Sequence, residues 1–414
     1  MKRLAKPLAL IIVLAFIGGL LLSACSGAAT PAPAAKQEPP KQAEQGTKQE
    51  PAKEAKPAAK EGTGEPIKVG VIIPWTGRYA PMGEPIKEAI EFAGEQINAS
   101  GGVSGRKLDL IFYDDEADQA KATQLANKAI NQDKVVAIIG SAVTANSTVI
   151  AAAAEKAQIV NMYMGPSAKV REGKKYVFQV NPDVAVEAET LLEYVQKKLN
   201  KKAIAVLYDE NPYGVESSTA VKEQADKRGV KVVAMEKYGG EDTDVTPQLT
   251  KIKNSGAEAI LVCGTLPTPA IAIKQVKQLG IDLPFLGETG MATAQFIDVA
   301  KEAAEGAYAT TVISYDNTPM RQQKFIKDFK AKFGSNPSFF SALGWDSVQI
   351  PVAGIQKAGG KTDGDSIAKG IESLKDYQGI VGVRNFTPTN HNGLSYESLF
   401  IMTVKGGKWV EVPR

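Results

Sequence analysis

Residues 67–102 read IKVGVIIPWTGRYAPMGEPIKEAIEFAGEQINASGG, and this stretch decides the fold class. Its first seven residues are β-branched and apolar apart from Lys68 and Gly70, the pattern of a strand buried inside a sheet. Ile86, Ile90, Ala93 and Ile97 then recur at helical spacing, which places them on one apolar face, and Gly101-Gly102 stops the helix. A buried strand followed at once by a one-faced helix is the repeating unit of a parallel α/β sheet.

The unit repeats along the chain. Strands are expected at 108–113, 135–139 and 159–164, with helices around 117–131 and 145–157. A second series follows: helix 184–199, strand 203–208, helix 214–228, strands 230–236 and 258–263, helix 269–279. One sheet would be too wide for so many strands, so the expected fold is α/β with two doubly wound parallel-sheet lobes. Asn181-Pro182-Asp183 marks a crossing between them.

Working back toward the start, Ser26 to Glu65 is almost entirely Ala, Pro, Lys, Glu, Gln, Gly and Thr. It carries no aromatic residue and no large aliphatic one, so it has too little apolar surface to offset its ordering entropy and reads as a disordered tether. About 40 flexible residues span roughly 35 Å. Before it, Lys2, Arg3 and Lys6 precede an apolar run and then Leu22-Ser23-Ala24-Cys25. The run of about 15 apolar residues spans roughly 22 Å as a helix, short of the ~30 Å of a membrane core. Residues 1–24 therefore resemble a bacterial lipoprotein signal peptide, with Cys25 the acylated residue and 25–65 the tether. The rest of the chain is then expected outside the cytoplasm, anchored to the bacterial cell membrane.

Loss of that leader brings the 49 basic residues level with the 46 acidic ones, so charge gives no reason to expect nucleic acid. The chain has two cysteines, Cys25 and Cys263; with the first lipidated, no intrachain disulfide forms. No His/Cys cluster has metal-ligand spacing, and neither a Walker loop nor a Gly-x-Ser-x-Gly elbow occurs. No cofactor is implied. His391, the single histidine, sits in a turn-like Asn-rich stretch and reads as a surface loop rather than a general base. Cys263 closes an apolar strand and reads as a core thiol. Enzymatic readings are disfavoured.

In open α/β sheets, ligands bind beyond the carboxyl ends of the strands, where helix N-termini point. Three loops there have suitable chemistry: Gly140 to Ser147, Met164-Gly165-Pro166-Ser167, and Asp209 to Gly214 with Tyr213. Hydroxyls and free amides at a helix start suit a carboxylate, the dipole adding ~0.3–1 kcal/mol. Thr144 and Ser167 read equally as plain N-caps. Trp75 follows a strand beside a Gly-rich bend, either lining the cleft or filling the lobe core. Arg78 either pairs with a second carboxylate or is solvated.

Several pieces together resemble the branched-chain amino acid binding proteins of ABC transporters, the type I periplasmic binding fold. They are Ile67 to Ile72, the Gly83 helix ending Gln96-Ile97-Asn98-Ala99, Gly101-Gly102, Tyr113-Asp114-Asp115 with Gln119-Ala120, Tyr213-Gly214, and Leu343-Gly344-Trp345-Asp346. The resemblance runs from about Ile67 to the C-terminus. It implies two lobes, 66–182 with 315–386 and 183–314 with 387–414, joined by a three-strand hinge and closing on the ligand. It implies Thr144 and Ser167 on the ligand carboxylate, the Gly165 carbonyl with Ser167 near the ammonium, and Tyr213 closing from the other lobe. It also places Trp75, Met82, Val143 and Phe340 around the ligand side chain.

This chain departs from the family pattern at two places. Thr265 stands where the family has a second tyrosine. The ammonium-binding acid of the family directly precedes a glycine, whereas here Thr289 precedes Gly290 and Glu288 lies one place earlier. If Glu288 points inward, an amino acid fits; if outward, an aromatic or aliphatic acid or an amide does. The expected function is a monomeric solute-binding lipoprotein that delivers a small carboxylated ligand to ABC permease subunits. The alternative is a ligand-sensing receptor of the same fold.

Overall fold

The computed structural model describes residues 64–394 and 396–414. The expected signal peptide, Cys25 and the tether up to residue 63 lie outside these described residues. Among the described residues no helix is long and apolar enough to cross a membrane.

The chain first builds β1 (Ile67–Ile73), α1 (Ala80–Ala99), β2 (Leu108–Asp114), α2 (Gln119–Asn131), β3 (Ala137–Gly140), α3 (Thr144–Ala157), β4 (Val160–Tyr163) and β5 (Val177–Gln179). These strands form an all-parallel sheet in the order β2-β1-β3-β4-β5. The four positions expected on one helical face, Ile86, Ile90, Ala93 and Ile97, are all buried on α1. Gly101 and Gly102 end the helix at φ +98° and +75°, left-handed values that cost an L side chain energy.

A second series follows: α4 (Val184–Lys197), β6 (Ala203–Asp209), α5 (Pro212–Arg228), β7 (Lys231–Tyr238), α6 (Thr246–Lys253), β8 (Ala259–Cys263), α7 (Thr268–Gln278), β9 (Phe285–Gly287), α8 (Ala294–Ala300) and β10 (Tyr308–Thr311). Three helices then return to the first lobe: α9 (Met320–Phe333), α10 (Phe339–Lys357) and α11 (Gly364–Glu372). Phe325, Phe329, Leu343, Ile350 and Ile367 join the core around β1 and α1. Gly344 lets α10 lie close on α1; a Cβ there would stand 2.5 Å from the Ile86 carbonyl oxygen. A short hairpin, β11 (Tyr377–Gln378) and β12 (Val383–Arg384), precedes β13 (Phe400–Lys405) and β14 (Lys408–Val412).

The second sheet runs β14-β13-β10-β9-β8-β6-β7. It is not wholly parallel, as expected, but mixed: β13 lies antiparallel to both β10 and β14. A two-glycine turn, Gly406-Gly407, joins β13 to β14 as a hairpin, and hairpins can only be antiparallel. The chain passes between the sheets three times: over residues 180–183, over 312–319, and between β12 and β13.

His391 corrects the surface-loop expectation. It is buried and stacked on Phe178, with centroids 4.0 Å apart, and Nδ1 lies 3.0 Å from the Val177 carbonyl. β5 is an edge strand, and the segment around His391 covers it: the Gln179 N–H donates to the His391 carbonyl at 3.0 Å. His391 thus packs on the first lobe, and Asn392 donates its Nδ2 to the Asn181 carbonyl in the first crossing at 2.7 Å.

Candidate functional site

A cavity of about 280 Å³ opens where loops at the carboxyl ends of both sheets face each other. The first lobe contributes Met82, Val143, Thr144, Met164, Phe339, Phe340 and Leu343; the second contributes Glu187, Tyr213, Thr265, Leu266, Thr289 and Gly290. Asn181, in the first crossing, also lines it. Each side chain arrives there for a local reason.

The wall at α3 is held rigidly. Ser141 donates its hydroxyl to Asp115 Oδ2 at 2.8 Å, and Ser147 donates to the Ser141 carbonyl at 2.9 Å. The N-cap of α3 is Val143, and no side chain caps the helix, so its first amides face the cavity without a side-chain acceptor. Thr144 sits in that first turn. Its Oγ1 is buried and has no hydrogen-bond partner among the described residues. Thr144 is therefore not the plain N-cap of the alternative reading. A buried hydroxyl beside unpaired amides at the start of a 14-residue helix is suited to a carboxylate.

The opposite pole is a carboxylate that the sequence reading did not single out. Glu187 lies one turn into α4, is buried, and lines the cavity. Its oxygens accept the Thr289 N–H at 2.8 Å, the Thr289 hydroxyl at 3.0 Å and the Thr310 hydroxyl at 3.1 Å. Nothing cationic among the described residues forms an ion pair with it. One signal was available: Glu187 sits three residues after Val184 and four before Leu191, on the apolar face of its helix.

Glu288 is placed differently from either expectation. It is buried, so it is no solvated loop acid, yet it does not line the cavity. The Tyr213 hydroxyl donates to one of its oxygens and the Ser217 hydroxyl to the other. Asn211 caps α5, accepting from Gly214 N–H at 2.9 Å, with Pro212 at the helix start, and this fixes Tyr213 between the cavity and Glu288. Thr289, the residue directly before Gly290, faces the cavity and is bonded to Glu187.

Burial raises the pKa of both acids, Glu187 to about 7 and Glu288 to about 8, the second also through the negative charge of Glu187. A carboxyl whose pKa is raised by folding keeps its proton in the folded state after the unfolded chain has lost it. Stability of the ligand-free protein should therefore fall as pH rises from about 4.5 to about 8 and then level off. Chemical denaturation across that range checks this; the decline should shrink in Glu288→Gln, and a flat profile shared by both proteins would refute it.

Four expected site residues lie elsewhere. Ser167 donates its hydroxyl to Glu216, across the cleft on α5. The Gly165 carbonyl accepts from Gln179 Nε2 at 3.1 Å. Trp75 packs edge-on against Phe112, ring centroids 6.3 Å apart, with the Lys87 ammonium 5.8 Å above it. Glu288 is the fourth. In place of Trp75, the apolar wall is made by Met164, Phe339, Leu343 and Leu266 beside the expected Met82, Val143 and Phe340. Asn181 adds an unpartnered buried Oδ1, its Nδ2 being bonded to the Met164 carbonyl at 3.0 Å.

This two-lobed arrangement recurs in known proteins. The sequence profile of a family described as periplasmic binding protein matches residues 66–408. A leucine-, isoleucine-, valine-, threonine- and alanine-binding protein of Pseudomonas aeruginosa is 30% identical over 311 residues, 74% of this chain and 82% of that one. A type 1 periplasmic binding protein from Bordetella pertussis superposes with a TM-score of 0.78 at 26% identity, covering 84% of this chain and 100% of that chain. The branched-chain amino acid transporter substrate binding protein of Streptococcus pneumoniae, solved in complex with isoleucine, gives a TM-score of 0.76 at 26% identity, over 84% and 99% of the two chains. With its two α/β lobes, this chain belongs to the periplasmic binding protein family, whose members bind ligands rather than transform them.

Proposed function

We propose that this protein is the extracytoplasmic solute-binding component of an ABC importer and captures an α-amino acid with an aliphatic side chain between its lobes. The observation that carries this reading is a cavity with two unlike poles. Thr144 and the α3 N-terminus offer donors for a carboxylate; Glu187 offers a buried carboxylate for an ammonium; apolar side chains lie between them. A zwitterion satisfies both poles at once, whereas a simple acid forgoes the ion pair with Glu187. The Pseudomonas and Streptococcus relatives, named for or holding branched-chain amino acids, support the ligand class. The leader-like stretch ending at Cys25 supports a lipid-tethered form, and in this reading the protein hands its ligand to permease subunits as a monomer.

A thermal-shift screen of amino acids against their des-amino acids tests the ligand class. Leucine, isoleucine or valine should raise the melting temperature and 4-methylpentanoate should not; the reverse order would overturn the reading. Thr144→Ala should weaken the amino acid by about 1–3 kcal/mol in calorimetry, because it removes a hydrogen bond to a charged group.

A further inference from the structure

Arg78 lies at the mouth of the cavity, on the loop between β1 and α1 of the first lobe. Its guanidinium reaches across to the second lobe, where Nη1 donates to the Glu241 carboxylate and Nη2 to the Gly240 carbonyl. These acceptors lie just beyond β7, at the carboxyl end of the second sheet. Behind them is Asp209, the last residue of β6, which is 1% exposed. Asp209 Oδ1 accepts the Asn211 N–H at 3.0 Å, while Oδ2 has no partner among the described residues. A Cβ built on Gly240 would stand 3.3 Å from both Nη atoms of Arg78 and 3.4 Å from Asp209 Oδ2. The guanidinium and the buried carboxylate thus flank Gly240, which has no side chain to part them.

An exposed Arg–Glu pair alone would contribute little, because water screens it. Asp209 changes the balance. A buried carboxylate oxygen without a donor is costly until a cation approaches, and Arg78 is the cation that the first lobe brings to it. We propose that Arg78 is the positioning residue that latches the closed cleft: docking against Gly240, Glu241 and Asp209, it sets how slowly a bound ligand escapes. When the lobes part, Arg78 returns to water and the acidic mouth loses its counter-charge. The proposal deepens the amino-acid reading of the cleft and rests on it for its kinetic test.

The test uses the full chain with L-leucine and L-isoleucine as probes, read by stopped-flow tryptophan fluorescence. Arg78→Gln should raise the dissociation rate about tenfold and leave the association rate within about twofold, since a latch made after encounter acts on escape. Added salt should speed release from the wild type and change the variant little. Gly240→Leu, which wedges a side chain between guanidinium and carboxylate, should reproduce the effect. The ligand-free melting temperature should be unchanged in Arg78→Gln. A fall in that temperature equal to the fall with ligand would make Arg78 merely structural and overturn the latch, as would an unchanged dissociation rate. A second arm needs no ligand, because an irreversible cross-linker accumulates even brief closures: Arg78→Cys/Glu241→Cys should be joined by a short bis-maleimide. Absence of that cross-link refutes the latch; a cross-link in a protein that binds neither probe refutes only the ligand assignment.

Discussion

In Glu187→Gln, affinity for L-leucine is expected to fall by about 2–4 kcal/mol, while 4-methylpentanoate, which lacks the amine, binds the variant no more weakly than it binds the wild type. Glutamine keeps the size of the side chain and one acceptor oxygen, so the contacts to Thr289 and Thr310 can persist in part. What is lost is the negative charge that meets the ammonium inside a cavity where no cation among the described residues pairs with Glu187. The des-amino probe has no such charge to satisfy, so its affinity is indifferent to the change or improves with it. Isothermal titration of both ligands into both proteins reads the result. Equal losses for the two ligands would mean that Glu187 shapes the cavity without meeting the amine. A larger loss in Glu288→Gln would transfer the ammonium to Glu288.

Arg384→Met is expected to cost about 3–5 kcal/mol of stability, the range for removing one member of a buried charge network. Arg384 is fully buried in β12. Its guanidinium donates to the carbonyls of Asn392 at 2.6 Å, Gln179 at 3.3 Å and Val180. It therefore joins the chain entering the first crossing to the segment that covers β5. Burial lowers its pKa, to about 10, with Asp346 the largest opposing influence, so it remains charged at neutral pH. Asp346 in turn accepts the Ile380 and Val381 N–H groups at 2.9 Å each. Methionine fills the volume but leaves three carbonyls without their donor and Asp346 with Arg321 alone of the two cations that act on it. Urea denaturation measures the difference; a loss below about 1 kcal/mol would show that the network rearranges around the gap.

Much of the architecture was legible before any coordinates. The strand at Ile67–Ile73, the apolar face Ile86–Ile90–Ala93–Ile97 and the glycine stop all recur in the structure within a residue or two. So do α2 to α5, α7 and β6 to β8. Short elements were missed: β5 and β9 have three residues each, too few for a period to show. The sequence reading also left out α6, α8, β10, the antiparallel partners β13 and β14, and the helices α9 to α11 that return to the first lobe.

At the site, Thr144, Tyr213, Thr265, Thr289, Met82, Val143 and Phe340 line one cavity. Ser167, Gly165, Trp75 and Glu288 are drawn into contacts with Glu216, Gln179, Phe112 and the Tyr213–Ser217 pair. Those partners are distant in sequence, 49 residues away for Ser167 and 75 for Tyr213 with Glu288, so no local pattern reveals them.

Periodicity determined the strands and helices, and with them the α/β class, because a two-residue or 3.6-residue repeat of burial is a property of the chain segment itself. Which carboxylate reaches the cavity was decided only by tertiary structure. Glu187 and Glu288 carry the same group; their roles depend on how α4 and the loop after β9 meet, and on Tyr213 standing in front of one of them. Those are relations between segments about a hundred residues apart, set by the packing of the second lobe.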